Sequence, residues 1–214
     1  MHLLARDISK SFGTGHTVGP LSLSVRGGEA LCLFGPSGAG KTTVLRMLAG
    51  LENPSTGNVS LDDDPITSGE PAKPGVFGMV FQEPALWPHM NTRKHLQFVL
   101  RPLKLGRETR RERIRDLLTT LDLNHTAAQY PHSLSGGERR RLSLARALVT
   151  EPRVLLLDEP FAQLDSARVD QALELVRRAR DAGTVVVFTT HSEKERNLLA
   201  SEVITLDRRK GSTA

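Results

Sequence analysis

The segment Gly35-Pro36-Ser37-Gly38-Ala39-Gly40-Lys41-Thr42-Thr43 constrains this chain more than any other. An apolar run over residues 30–34 leads straight into G-x-x-x-x-G-K-T, and Val44, Leu45 and Leu48 follow at helical spacing. A glycine-rich turn from a buried strand into a helix leaves backbone N–H groups bare at the positive end of the helix dipole, where a phosphate binds. In this motif the glycines let the backbone approach the phosphates, Lys41 reaches the β- and γ-oxygens, and Thr42 offers its hydroxyl to Mg²⁺. A second helix start of the same kind lies at Leu134-Ser135-Gly136-Gly137-Glu138, where Ser135 and Glu138 have the spacing of a capping box ahead of Leu142, Leu144 and Leu148. One chain does not need two anion sites for one triphosphate, but two chains facing each other could share them.

Around these segments, strand-like runs recur at residues 21–25, 30–34, 76–81, 154–157, 184–189 and 203–206. Several are almost continuously apolar, as in parallel strands covered on both faces. Helical patterns alternate with them at 42–49, 138–149, 168–182 and 193–200. This alternation predicts an α/β fold with a mostly parallel sheet. Residues 91–130 are patterned only as helix and read as a helical subdomain inserted into that core. The first 30 residues with 58–61 read as a small antiparallel β layer, giving one domain over 1–214.

In open parallel sheets, ligands bind beyond the carboxyl ends of the strands. The glycine-rich loop follows one strand, Gln82 ends another, Asp158 and Glu159 end a third, and His191 ends a fourth. All four are expected on one edge around one triphosphate. Side chains alternate along a strand, so the adjacent carboxylates Asp158 and Glu159 should do different jobs.

Leu-Ser-Gly-Gly-Glu at 134–138, placed between the phosphate loop and the strand ending in Asp158-Glu159, resembles the signature motif of the ABC ATPases. The resemblance runs from about Leu3 to about Asp207 and implies a P-loop NTPase core. It implies that ATP held by Gly35 to Thr43 of one subunit is closed over by Ser135, Gly136 and Gly137 of another. By the same resemblance Asp158 holds Mg²⁺ together with Thr42, Glu159 polarises the attacking water, and Gln82 contacts Mg²⁺ or that water. His191 then contacts the γ-phosphate, Asp165 bridges subunits, and Phe12 stacks on adenine. The stretch Gln82-Glu83-Pro84-Ala85-Leu86-Trp87-Pro88-His89 is similar to importer-type subunits. Trp87 there has two readings, packing within the helical subdomain or lining a groove for a membrane subunit. Three positions depart from the usual pattern: Ala162-Gln163 before Leu164-Asp165, Ser192 after His191, and Lys94-His95.

The function so implied is ATP hydrolysis that energises an ABC transporter, as an importer, through ATP-driven closure of a homodimer. The implied partners are a second ABC subunit, integral membrane permease subunits and a substrate-binding protein, at the cytoplasmic face of the cell membrane. An exporter subunit, or a non-transport ABC protein acting on ribosomes or DNA, is the alternative. A net charge of +5 and few aromatic residues argue against nucleic acid as a partner. The single cysteine, Cys32, lies in the apolar strand and is expected to be a buried thiol. A basic cluster at Arg107, Arg110, Arg111, Arg113 and Arg115 alternates with Glu108 and Glu112. It reads either as a solvated helix face with i,i+4 pairs or as a contact for anionic lipid heads.

Overall fold

The computed structural model describes residues 1–13, 16–69 and 72–207, so positions 208–214 of the domain expected over 1–214 lie outside the described residues. The chain opens with two long antiparallel strands, β1 (His2–Ser11) and β2 (Thr17–Arg26). The apolar run continues as β3 (Ala30–Phe34), and the glycine-rich loop leads into α1 (Lys41–Leu48). Strands β4 (Thr56–Leu61) and β5 (Asp64–Pro65) join the first pair in a sheet of order β2-β1-β4-β5. That is the small antiparallel layer expected from the sequence.

Strand β6 (Phe77–Val80) precedes the helical segment, made of α2 (Thr92–Leu100), α3 (Arg107–Thr120) and two short 3-10 turns at Asn124–Thr126 and Pro131–Ser133. Then follow α4 (Gly136–Leu148), β7 (Val154–Leu157), α5 (Ser166–Asp181), β8 (Val185–Thr190), α6 (Glu193–Leu199) and β9 (Glu202–Thr205). The second sheet has the order β6-β7-β8-β3-β9, and every neighbouring pair in it is parallel. The carboxyl ends of β3, β6, β7 and β8 therefore share one edge.

Alternation along the central strands explains why they are apolar throughout. Leu155 and Leu157 of β7, Ala30 and Cys32 of β3, and Val186 and Phe188 of β8 face one cluster with α4 and α5. Val154, Leu156, Leu31, Leu33, Val185 and Val187 face the other, shared with α1 and the antiparallel sheet. A strand with both faces covered has no position left for a polar residue until it ends. Leu96, Leu100, Ile114 and Leu118 of α2 and α3 belong to the first cluster, so the helical segment is anchored on the sheet through α4. Cys32 is fully buried, and that burial pushes its thiol up to about 11, which makes it unreactive. No helix among the described residues is long and apolar enough to cross a membrane.

Phe188 sits fully buried on the central strand β8, in register with Leu157 of β7. Phe188→Ala is expected to destabilise the fold by about 3–5 kcal/mol, because the site is walled by strands and cannot collapse. Denaturant unfolding should show a lower midpoint at unchanged slope.

Candidate functional site

The carboxyl edge of the parallel sheet opens into a cleft of about 460 Å³. Its lining brings together Phe12, Ser37, Gly38, Gly40, Lys41, Thr42, Thr43, Gln82 and Glu159, with His16 added. Gly40 caps α1 at φ 91°, and a Cβ there would lie 2.5 Å from Val18 of β2. The loop thus lies against the antiparallel layer and needs glycine twice over, for its backbone angle and for this close approach. No side chain caps α1, so its first N–H groups are available to an anion. Phe12 is one-third exposed at the mouth, its ring stacked 6.1 Å from that of His16. Gly35, Pro36 and Ala39 complete the loop, with Gly35 fitted so closely that a Cβ would meet Leu206 O at 2.1 Å.

Lys41 is the electrostatic anomaly of the cleft. It is only 6% exposed and forms no ion pair among the described residues. Its Nζ donates to the carbonyls of Gly35 at 2.8 Å and Pro36 at 2.9 Å. Burial lowers its pKa, and the carboxylates of Glu159 and Asp158 oppose that shift. A buried ammonium that makes no direct ion pair is costly, and an anion in contact with it would remove much of that cost.

Asp158 ends β7 and is 2% exposed. Thr42 Oγ1 donates to its Oδ2 at 2.6 Å, and Thr189 Oγ1 donates to its Oδ1 at 2.7 Å. Thr189 Oγ1 also accepts the backbone N–H of Glu159 at 2.9 Å. One hydroxyl on β8 thereby fixes both carboxylate residues. Glu159 turns away from the strand with φ at 47°, a left-handed angle that is strained for a residue with a side chain. His191 Nε2 stands 2.6 Å from Glu159 Oε1. Glu159 and His191 therefore form a partly exposed acid–base pair at the cleft, whereas Asp158 is held inside by hydroxyls. Thr42 hydroxyl, Asp158 carboxylate and the nearby Gln82 amide offer oxygen donors of the kind a hard divalent cation takes together with water and phosphate oxygens.

Two residues that hold this site together were not among those expected from the sequence. Thr189 carries only the faint signal of a polar residue ending an apolar strand. Arg140 stands in the run Arg139-Arg140-Arg141 but is 3% exposed. Its guanidinium donates to Phe81 O at 2.8 Å and Gln82 O at 2.5 Å, so the signature-like helix α4 grips the backbone that presents Gln82.

Ser135, Gly136 and Gly137 begin α4, but they line neither this cleft nor the adjoining one around Gln82, Arg140, Asp158 and Gln163. The capping box expected there is complete: Ser135 Oγ accepts Glu138 N–H at 3.2 Å and Glu138 Oε2 accepts Ser135 N–H at 2.7 Å. The helix consequently starts at Gly136, two residues before the expected boundary. Glu138 Oε1 also meets His125 Nε2 at 2.8 Å. Asp165 caps α5 by accepting Arg168 N–H at 3.0 Å. Gln163, one of the departures from the usual pattern, has φ 65° and brings its Oε1 to within 3.2 Å of a Cβ built on Gly136. Trp87 packs on α2, stacked on His95 at 5.4 Å and edge-on to Phe98 at 5.0 Å, with Arg146 over its ring at 5.1 Å. Of its two readings, packing within the helical segment is the one these contacts satisfy.

The family profile described as ABC transporter matches residues 18–162. The chain is 42% identical over 206 residues to the sulfate/thiosulfate import ATP-binding protein CysA of Nephroselmis olivacea, covering 95% of this chain and 60% of that protein. It is 39% identical over 202 residues to the spermidine/putrescine import ATP-binding protein PotA of Bacillus thuringiensis, covering 94% of this chain and 62% of that protein. Among solved structures it resembles a dimeric bacterial ABC transporter cassette with a TM-score of 0.87 and 27% identity, covering 96% of this chain and 94% of the other. The chain belongs to the ABC transporter family, and it spans about three-fifths of the length of these curated relatives.

The cap of α4 provides a pH test. Hydrogen bonds from the N–H and hydroxyl of Ser135, with His125 beside them, hold Glu138 down at about 2 rather than 4.5. A depressed carboxylate adds stability above its unfolded pKa and loses it as the pH falls towards the folded one. The stability gap between wild type and Glu138→Gln should be full at about pH 7 and narrow below about pH 4.5. Denaturation midpoints that differ by the same amount at both ends would remove the charged cap from the account.

Proposed function

We propose that this chain binds and hydrolyses ATP as one half of a dimer, and that the dimer drives import through separate membrane subunits. The observation that carries this reading is the buried ammonium of Lys41, which bonds two carbonyls and touches no carboxylate directly among the described residues. It lies in a glycine-lined cleft that Glu159 also lines, with His191 held on that carboxylate. Phosphate oxygens would supply a direct counter-charge, with the free N–H groups of α1 as further donors. Phe12 is positioned at the mouth to stack on the base, and Gly35 to Thr43 wrap the phosphates. Thr42, Asp158 and Gln82 are the residues that would hold Mg²⁺. The ion would neutralise charge on the phosphate oxygens.

In the reaction, the Glu159 carboxylate takes a proton from water as the water oxygen bonds to the γ-phosphorus. The bond from that phosphorus to the β–γ bridging oxygen breaks, and ADP leaves. His191 holds Glu159 Oε1 and keeps the carboxylate turned to the cleft. Glu159 is strained but fixed at its N–H by Thr189, so the base is pre-positioned rather than recruited.

Ser135, Gly136 and Gly137 lie outside the cleft of their own chain, which supports a role against nucleotide held by a second copy. Asp165 would then lie near the seam between copies. The relatives' names carry an inorganic anion in one case and polyamine cations in another, at nearly equal identity to this chain. Cargo choice is accordingly assigned to permease subunits and a substrate-binding protein, with this chain at the cytoplasmic face of the membrane.

Glu159→Gln should retain ATP binding and lose turnover by about 10²–10⁴-fold, the usual share of a general base. The variant should also accumulate as an ATP-stabilised dimer on size-exclusion chromatography. Turnover at the wild-type rate would remove Glu159 from the chemistry.

A further inference from the structure

The arginine cluster on α3 forms only part of the pattern of a solvated helix face. Such a face would pair Glu108 and Glu112 with arginines three or four residues away. Glu112 forms no ion pair among the described residues, and Glu108 only approaches Arg111 at 3.7 Å with both side chains mostly exposed. Arg113 pairs away from the helix, with Glu151 at 2.5 Å. Instead, Arg107, Arg110 and Arg111 join Arg101 from the end of α2 around a cleft of about 650 Å³. No carboxylate lines it, and Leu105 and Ile114 supply its apolar wall.

Of the four, only Arg111 has a carboxylate partner among the described residues, Glu108 at 3.7 Å. Among the described residues Arg101 and Arg107 have neither an ion-pair partner nor a hydrogen-bonded side-chain one. Arg110 uses one nitrogen on Leu103 O at 3.3 Å, while its Nε is buried without a partner. Three arginines without a direct ion pair line this one cavity with Arg111, and their mutual repulsion favours a ligand carrying several negative charges. Guanidinium forks match the oxygens of phosphate better than they match a single carboxylate oxygen. We infer that the cleft between α2 and α3 is a second anion site, separate from the glycine-rich loop, that binds a multiply charged phosphate group. The group could be carried by a soluble polyphosphate or by a lipid head, and the chemistry of recognition is the same.

The test uses the whole chain and the double variant Arg101→Glu/Arg107→Glu. Neither residue lines the nucleotide cleft, and an acidic residue in the first turn of α3 suits the helix dipole. Unchanged ADP affinity would show that the variant is folded. With the glycine-rich loop filled by ADP, wild type is titrated with inorganic tripolyphosphate by calorimetry. In parallel it is floated with phosphatidylcholine vesicles carrying phosphatidic acid, whose phosphomonoester can hold two negative charges, and with vesicles of phosphatidylcholine alone. The expected result is binding of one of the two anionic probes that the variant weakens by at least about tenfold. Loss confined to tripolyphosphate identifies a soluble ligand, and loss confined to phosphatidic acid identifies a lipid head. Wild type binding neither probe, or the variant binding both as tightly as wild type, would overturn the site.

Discussion

The site rests on one buried carboxylate. Asp158 sits at the end of β7 with no cation paired to it among the described residues, and two hydroxyls occupy its oxygens. Thr42 comes from the first turn of α1 and Thr189 from the end of β8, so a single side chain ties three elements together at the carboxyl edge of the sheet. Hydrogen bonds to a charged acceptor inside the protein are about twice as strong as neutral ones. That geometry fixes where the glycine-rich loop lies relative to Glu159, since Thr189 also holds the N–H of Glu159. The left-handed backbone at Glu159 is held in place on one side, where two hydroxyls fix Asp158 and Thr189 accepts the Glu159 N–H.

The α4 helix plays a comparable part at longer range. Its first residues carry the capped glycines, and one turn later Arg140 holds the carbonyls of Phe81 and Gln82. A shift of α4 would move both the glycine-rich helix start and the backbone presenting Gln82. Gln163, packed against Gly136, extends the link to the loop that follows Glu159.

How much of this was readable follows from how far apart the interacting residues are. The glycine-rich loop, the strand ending in Asp158-Glu159 and the Ser135–Glu138 cap are complete within a few residues, and each was legible as spacing. The antiparallel layer and the parallel sheet were legible because coverage on one or two faces leaves its mark on strand polarity. Thr189 and Arg140 were not, since their partners lie 31 and 59 residues away and their own surroundings look ordinary. A run of three arginines reads as surface charge, yet Arg140 and Arg141 are buried where α4 packs against β6. The same blindness hid the cleft between α2 and α3, where Arg101, Arg107 and Arg110 gather without a carboxylate.

On the function proposed above, the nucleotide site is completed by a second copy of the chain. The most direct measurement is ATP turnover per subunit as a function of protein concentration, with MgATP in excess. If two chains share each site, turnover per subunit rises with concentration until the dimer is populated and then levels off. Turnover per subunit that stays constant down to concentrations where sedimentation shows only monomer, in the presence of ATP, would mean that one chain suffices and would contradict the account.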